Sequence, residues 1–100
     1  MYESKVQSPE TDRLFQAILT LQSVEECYRF FDDVATIGEI FALAQRFQVA
    51  ELLEQRVTYA AIAEQTGAST ATVSRVSKCL AYGADGYKIA LARLKEQDEK

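Results

Sequence analysis

Between Ser69 and Lys78 the chain reads Ser-Thr-Ala-Thr-Val-Ser-Arg-Val-Ser-Lys, short hydroxyl side chains and a methyl followed by two cations. On one exposed helix these groups suit the edges of base pairs. Thr70, Ala71, Thr72 and Ser74 favour thymine-methyl and water-bridged polar contacts, while Arg75 and Lys78 favour phosphates. Ser69 can cap such a helix by accepting from an early backbone N–H, and it belongs to the same surface. Ser69, Thr70, Ala71, Thr72, Ser74, Arg75 and Lys78 are therefore expected to contact double-stranded DNA.

Other chemistry is scarce. The chain has no histidine. Cys27 and Cys79 have neither a nearby base nor the spacing of a metal or disulfide pair, and are expected to be buried free thiols. The acidic pairs Glu25-Glu26 and Asp32-Asp33 fall on different faces of a helix rather than converging. No catalytic residue, metal site or bound cofactor is expected, and the chain is not read as an enzyme. The five tyrosines are not interleaved with cations, so single-strand stacking is not indicated either.

A reading helix must be held by a second helix. Residues 58–82 supply both as a helix-turn-helix. Ala63 is small enough for a close crossing. Gly67 tolerates positive φ in the turn, and Ile62, Val73 and Val76 fall where the pair must bury side chains. Capping residues place the remaining helices. Ser8-Pro9-Glu10 opens the first, Ser23-Val-Glu-Glu26 the second, Thr36-Ile-Gly-Glu39 a long third, and Thr58 the first helix of the reading pair. Gly83-Ala-Asp-Gly86 stops the reading helix, with Tyr82 and Tyr87 expected to pack across that loop. Tyr87, Ala90, Leu91 and Leu94 mark a last helix.

The chain is thus expected to be all-α. Residues 1–7 read as a disordered arm, 8–94 as one helical domain and 95–100 as a charged tail. Within the domain, 8–56 is a platform, 58–82 the helix-turn-helix and 87–94 the last helix. The platform carries Phe15, Phe30, Phe31, Phe41 and Phe47, together with Leu21 and Val24. That is more bulky apolar surface than short helices of one 100-residue chain can readily cover. A homodimer is expected, which also suits a helix-turn-helix that reads paired half-sites.

Hydrophobic residues make up 48% of the chain and charged residues 26%, a globular balance. No apolar run approaches the ~20 residues of a membrane span, and the N-terminus lacks a signal-peptide pattern, so a cytoplasmic location without membrane contact is expected. Charge is distributed unevenly. Residues 1–56 carry five cations against ten anions, net −5. Residues 57–82 carry two against one, net +1, and the remainder balances. Only the reading region is basic, and only slightly, which argues against indiscriminate coating of DNA.

Phe30-Phe-Asp-Asp33, Ala42-Leu-Ala-Gln-Arg46, Ile62 to Arg75 and Cys79-Leu-Ala-Tyr-Gly-Ala-Asp-Gly-Tyr-Lys88 together resemble the tryptophan repressor family, in particular its YerC/YecD-type branch of short bacterial regulators. The resemblance spans most of residues 12–90. It implies an intertwined six-helix dimer with two DNA-reading heads and a role in transcription. It also implies a small-molecule corepressor site in which Arg46 and Arg75 clamp the ligand from either side. Val76 and Cys79 stand where tryptophan repressor has a glycine and a serine, which argues against tryptophan as that ligand. The plainer readings are preferred: a salt bridge from Arg46 to Glu51 or Glu54, and a phosphate contact by Arg75. Ala60 and Ala63 replace basic residues of the first reading helix, so the family's target sequence does not carry over. The second functional reading is a non-catalytic adaptor that keeps the helix-turn-helix as a scaffold and binds another protein through its acidic platform.

Overall fold

The computed structural model describes residues 2–99. Six helices follow one another: α1 (Pro9–Ile18), α2 (Val24–Val34), α3 (Ile37–Glu54), α4 (Tyr59–Thr66), α5 (Thr70–Tyr82) and α6 (Gly86–Asp98). No strand occurs among the described residues, so the all-α expectation holds. None of these helices is long and apolar enough to cross a membrane. Met1 of the expected arm and Lys100 of the expected tail lie outside the described residues.

Side-chain caps set most of the helix starts. Ser8, Ser23, Thr58 and Ser69 each accept a hydrogen bond from the backbone N–H three residues on, at Thr11, Glu26, Ala61 and Thr72. Each such cap stabilises its helix by about 1 kcal/mol, because it satisfies one of the donors a helix leaves unpaired at its first turn. At α2 the second half of the expected box is shifted. Glu26 Oε1 accepts from the backbone N–H of Gln22 at 2.8 Å, one residue before the cap.

Helix α3 ends in a six-to-one closure. Val57 N donates to the Leu52 carbonyl and Arg56 N to that of Leu53, with Arg56 at φ +64°. This satisfies two terminal carbonyls and turns the chain toward α4. Helix α6 continues to Asp98, four residues into the stretch of charge that begins at Lys95.

The chain divides into two compact units, one ending at Ile37 and the other beginning at Gly38. The second unit has a core of its own. Val49 and Ala50 of α3, Ile62 of α4, Ala68 of the turn, Val73 and Val76 of α5 and Leu91 of α6 are buried. Phe47, Leu52, Leu53, Val57, Leu80 and Tyr87 pack around them. Ile62, Val73 and Val76 are thus buried as their spacing requires.

The described residues of the first unit have no such core. Neither α1 nor α2 contains a buried residue. Phe30 and Phe31 meet edge to face, with ring centroids 5.4 Å apart, and both are half-buried. Phe15, Leu19, Val24 and Tyr28 are exposed, Leu19 at 83%. The apolar surplus continues into α3, where Phe41 is 70% exposed.

Two local expectations are corrected. Cys27 and Cys79 are free but exposed rather than buried. Tyr82 and Tyr87 do not close over the glycine loop: Tyr82 is 90% exposed, whereas Tyr87 packs on Phe47 with ring centroids 6.3 Å apart. A ring at position 87 sits in the first turn of α6 and reaches the core, while position 82 lies at the outer face of α5.

Candidate nucleic-acid interface

Helices α4 and α5 are joined by a three-residue turn, Gly67-Ala68-Ser69, whose conformation is fixed by several local bonds. Gly67 adopts φ +72°, where a side chain would be strained, and its N–H donates to the Ala63 carbonyl. The Thr66 hydroxyl donates to the Ile62 carbonyl at 2.7 Å and accepts from Ala68 N–H at 3.1 Å, bridging the last turn of α4 and the connection. Ala68 is buried beneath the turn. From α3, Gln45 Nε2 donates to the Thr66 carbonyl at 3.2 Å. The turn is thereby held from the helix before it, from within and from the core below.

Helix α5 leaves this turn with one face committed. Val73 and Val76 are fully or almost fully buried, and Ser77 and Leu80 are half-buried beside them. On a helix of 3.6 residues per turn the opposite stripe is Ala71, Arg75, Lys78 and Tyr82, and all four are exposed. Thr70 is exposed at the first position, and Ser74 is half-buried on the flank. Thr70, Ala71, Ser74, Arg75 and Lys78 therefore share one accessible surface.

Ser69 and Thr72 stand differently. Ser69 Oγ accepts from Thr72 N–H at 3.1 Å and shares a 3.0 Å hydrogen bond with Thr72 Oγ1. The two hydroxyls are engaged with each other and with the cap, and Thr72 is half-buried. Their first role is to start the helix that presents the others. Tyr82 was not among the expected contact residues, although its spacing of seven from Arg75 and eleven from Ala71 puts it on the same stripe.

The charge of this surface is simple. Arg29–Glu25 and Lys88–Asp85 form ion pairs, and neither Arg75 nor Lys78 takes part in one among the described residues. Arg46 is half-buried and forms no salt bridge with Glu51 or Glu54, which removes that reading of it.

Two surface cavities lie elsewhere in the second unit. One, of about 430 Å³, is bounded by Phe47, Cys79, Tyr87 and Ala90. The other, of about 350 Å³, has Leu91 and Leu94 with Glu51, Glu54, Asp98 and Glu99 around them. Neither includes Arg46 or Arg75. No group of three or more acidic or cysteine side chains among the described residues is arranged to hold a metal ion.

The order of helices and the reading pair have close counterparts among known proteins. The Trp repressor protein family matches residues 9–95. The chain is 54% identical over 98 residues to YerC of Bacillus subtilis (strain 168), a protein of uncharacterized function, covering 98% of this chain and 94% of that one. A TrpR-like protein from Eubacterium eligens ATCC 27750 superposes with a TM-score of 0.87 at 53% identity, over 91% of this chain and 94% of its own. A Trp-repressor-type protein from Staphylococcus aureus does so equally, at 0.87 and 50% identity, over 91% of each chain. With a family match over nearly the whole chain and relatives above half identity, this protein belongs to the Trp repressor family.

Proposed function

We propose that the protein is a sequence-specific regulator of transcription that binds double-stranded DNA as a homodimer in the cytoplasm. The observation that carries this reading is the α4–turn–α5 unit. It is a helix-turn-helix with a left-handed glycine in its turn and an outward stripe bearing Arg75 and Lys78, which have no ion-pair partner among the described residues. In this arrangement α5 enters the major groove. Thr70, Ala71 and Ser74 meet base edges, Arg75 and Lys78 meet phosphates, and Ser69 and Thr72 hold the first turn of the helix.

The dimer is supported by α1 and α2. Two amphipathic helices without a single fully buried residue need another surface, and a second copy supplies one with matching shape and symmetry. The two reading heads then address half-sites about one turn of DNA apart.

The test is selection of genomic fragments by the purified protein at physiological salt, with Arg75→Ala in parallel. A palindrome enriched by the wild type and lost by the variant is expected. Enrichment that needs an added small molecule would point to a corepressor site at Arg46 and Arg75. Enrichment of nothing under any condition would favour the adaptor, whose acidic groove beside Leu91 and Leu94 then becomes the surface to probe.

A further inference from the structure

Tyr59 and Ser77 are eighteen residues apart, yet the phenolic hydroxyl of Tyr59 donates to Ser77 Oγ at 2.6 Å. Tyr59 is the first residue of α4, and Ser77 is the eighth of α5. Each lies seven residues from the turn-side end of its helix, Tyr59 before Thr66 and Ser77 after Thr70. At 1.5 Å per residue the two arms are each about 10 Å long. The hydrogen bond therefore spans the open ends of a hinge whose closed end is the Gly67 turn.

Leverage makes such a bond sensitive to angle. A rotation of α5 by about 10° at the turn moves a point about 10 Å away by nearly 2 Å, which is enough to break a hydrogen bond. The buried contacts of Val73 and Val76 with Ile62 are apolar and not directional, so they resist separation of the helices more than a small change of angle. Tyr59 supplies the directional restraint.

The reading side chains make that restraint matter. Thr70, Ala71 and Ser74 are short, and they cannot extend or re-aim to recover a base edge when the helix tilts. Long side chains such as arginine tolerate a tilt; these do not.

The geometry points to Tyr59 as a positioning residue for DNA reading, whose hydrogen bond to Ser77 sets the angle of α5 against α4 and so determines discrimination between operator and other DNA. The inference rests on the DNA-reading role proposed above and deepens it. Loss of the bond costs sequence discrimination. Non-specific attraction by Arg75 and Lys78 remains, since phosphate contacts carry no sequence information.

The experiment compares wild type, Tyr59→Phe, Ser77→Ala and the double variant. Each is titrated against the selected operator and against a scrambled duplex of equal length, with thermal melting alongside. Tyr59→Phe removes one hydroxyl from a bond at the surface, so its melting temperature is expected to stay near that of wild type. Operator affinity should fall roughly three- to tenfold per dimer, with scrambled-duplex affinity unchanged. Ser77→Ala should do the same, the double variant should be no weaker than either single, and Ser77→Thr should restore discrimination.

Three results overturn the proposal. In one, discrimination is unchanged in Tyr59→Phe. In another, the losses add in the double variant, so that each hydroxyl touches DNA independently. In the third, both duplexes weaken equally in step with a lower melting temperature. If wild type selects no duplex and Arg75→Ala behaves identically, the DNA-reading role itself fails. Residual dipolar couplings of α4 and α5 amides in the free protein then decide the restraint alone: an interhelical angle that is the same in wild type and Tyr59→Phe overturns it.

Discussion

Gln45 Nε2 lies 3.2 Å from the carbonyl oxygen of Thr66, joining the middle of α3 to the last residue of α4. The Thr66 carbonyl sits at a helix C-terminus, where no intrahelical donor remains for it. Gln45→Leu keeps much of the side-chain volume and removes the donor. It is expected to destabilise the fold by about 1 kcal/mol, read as a shift in urea midpoint at unchanged m-value. A midpoint equal to wild type would show that water replaces Gln45 at no cost.

Two glycines flank α5, and their replacement should separate two causes of strain. At Gly67 an added Cβ meets nothing within 4 Å, so Gly67→Ala bears only the cost of φ +72°, about 1–2 kcal/mol. At Gly83 the added Cβ runs into the backbone carbonyl of Cys79, which is part of α5 and cannot move alone. Gly83→Ala is expected to melt lower than Gly67→Ala. The reverse order would mean that the end of α5 gives way more easily than its hydrogen bond from Gly83 N to Cys79 O suggests.

The Ser69 cap offers a test of stability apart from DNA contact. Ser69→Ala leaves Thr72 N–H without its acceptor and should cost about 1 kcal/mol, whereas Ser69→Asp should retain the cap. Ser69→Asp also places a negative charge beside the proposed phosphate path. Stability kept with weakened DNA binding is the expected pattern. Equal DNA affinity in Ser69→Asp and wild type would place the α5 N-terminus away from the backbone of the duplex.

Salt dependence should count the cations. With Arg75 and Lys78 from each of two subunits against phosphates, the slope of log K against log salt is expected to be about −3.5, and about −2 in Arg75→Ala. A slope near −8 would reveal basic groups outside α5 in the contact.

Self-association should follow the exposed aromatic surface. Wild type is expected to sediment at twice the chain mass at micromolar concentration, and Phe41→Asp at the mass of one chain. A single-chain species for wild type would sink the dimer and leave α1 and α2 in need of a different partner.

Much of this architecture was legible because helix starts are written locally. Ser8, Ser23, Thr58 and Ser69 are each within three residues of the N–H they bind, and Gly67 is the one residue of its turn suited to positive φ. The core positions Ile62, Val73 and Val76 follow from helical spacing alone. What escaped was long-range or conditional on it. Tyr59 and Ser77, or Gln45 and Thr66, are joined only once the helices are folded together, and nothing in their spacing announces a pair. The charge of Lys95 to Asp98 suggested a tail, although lysine, glutamate and glutamine are good helix formers and α6 continues through them. Residue type favours the interior for Cys27 and Cys79, but each falls on a helix face that this chain does not cover. The seven positions proposed to contact DNA fall within one continuous segment of sequence. That Ser69 and Thr72 engage each other depends on the cap geometry, which spacing alone does not give.

The bareness of α1 and α2 reaches beyond architecture. In the proposed dimer these helices gain their shelter only by meeting a sister chain, so folding and dosage become one equilibrium. Diluted, such a dimer would expose its N-terminal third to fraying and proteolysis before its reading head was lost. A cell that makes too little of it would degrade what it makes, and occupancy of its DNA would fall off more steeply than the protein's own abundance.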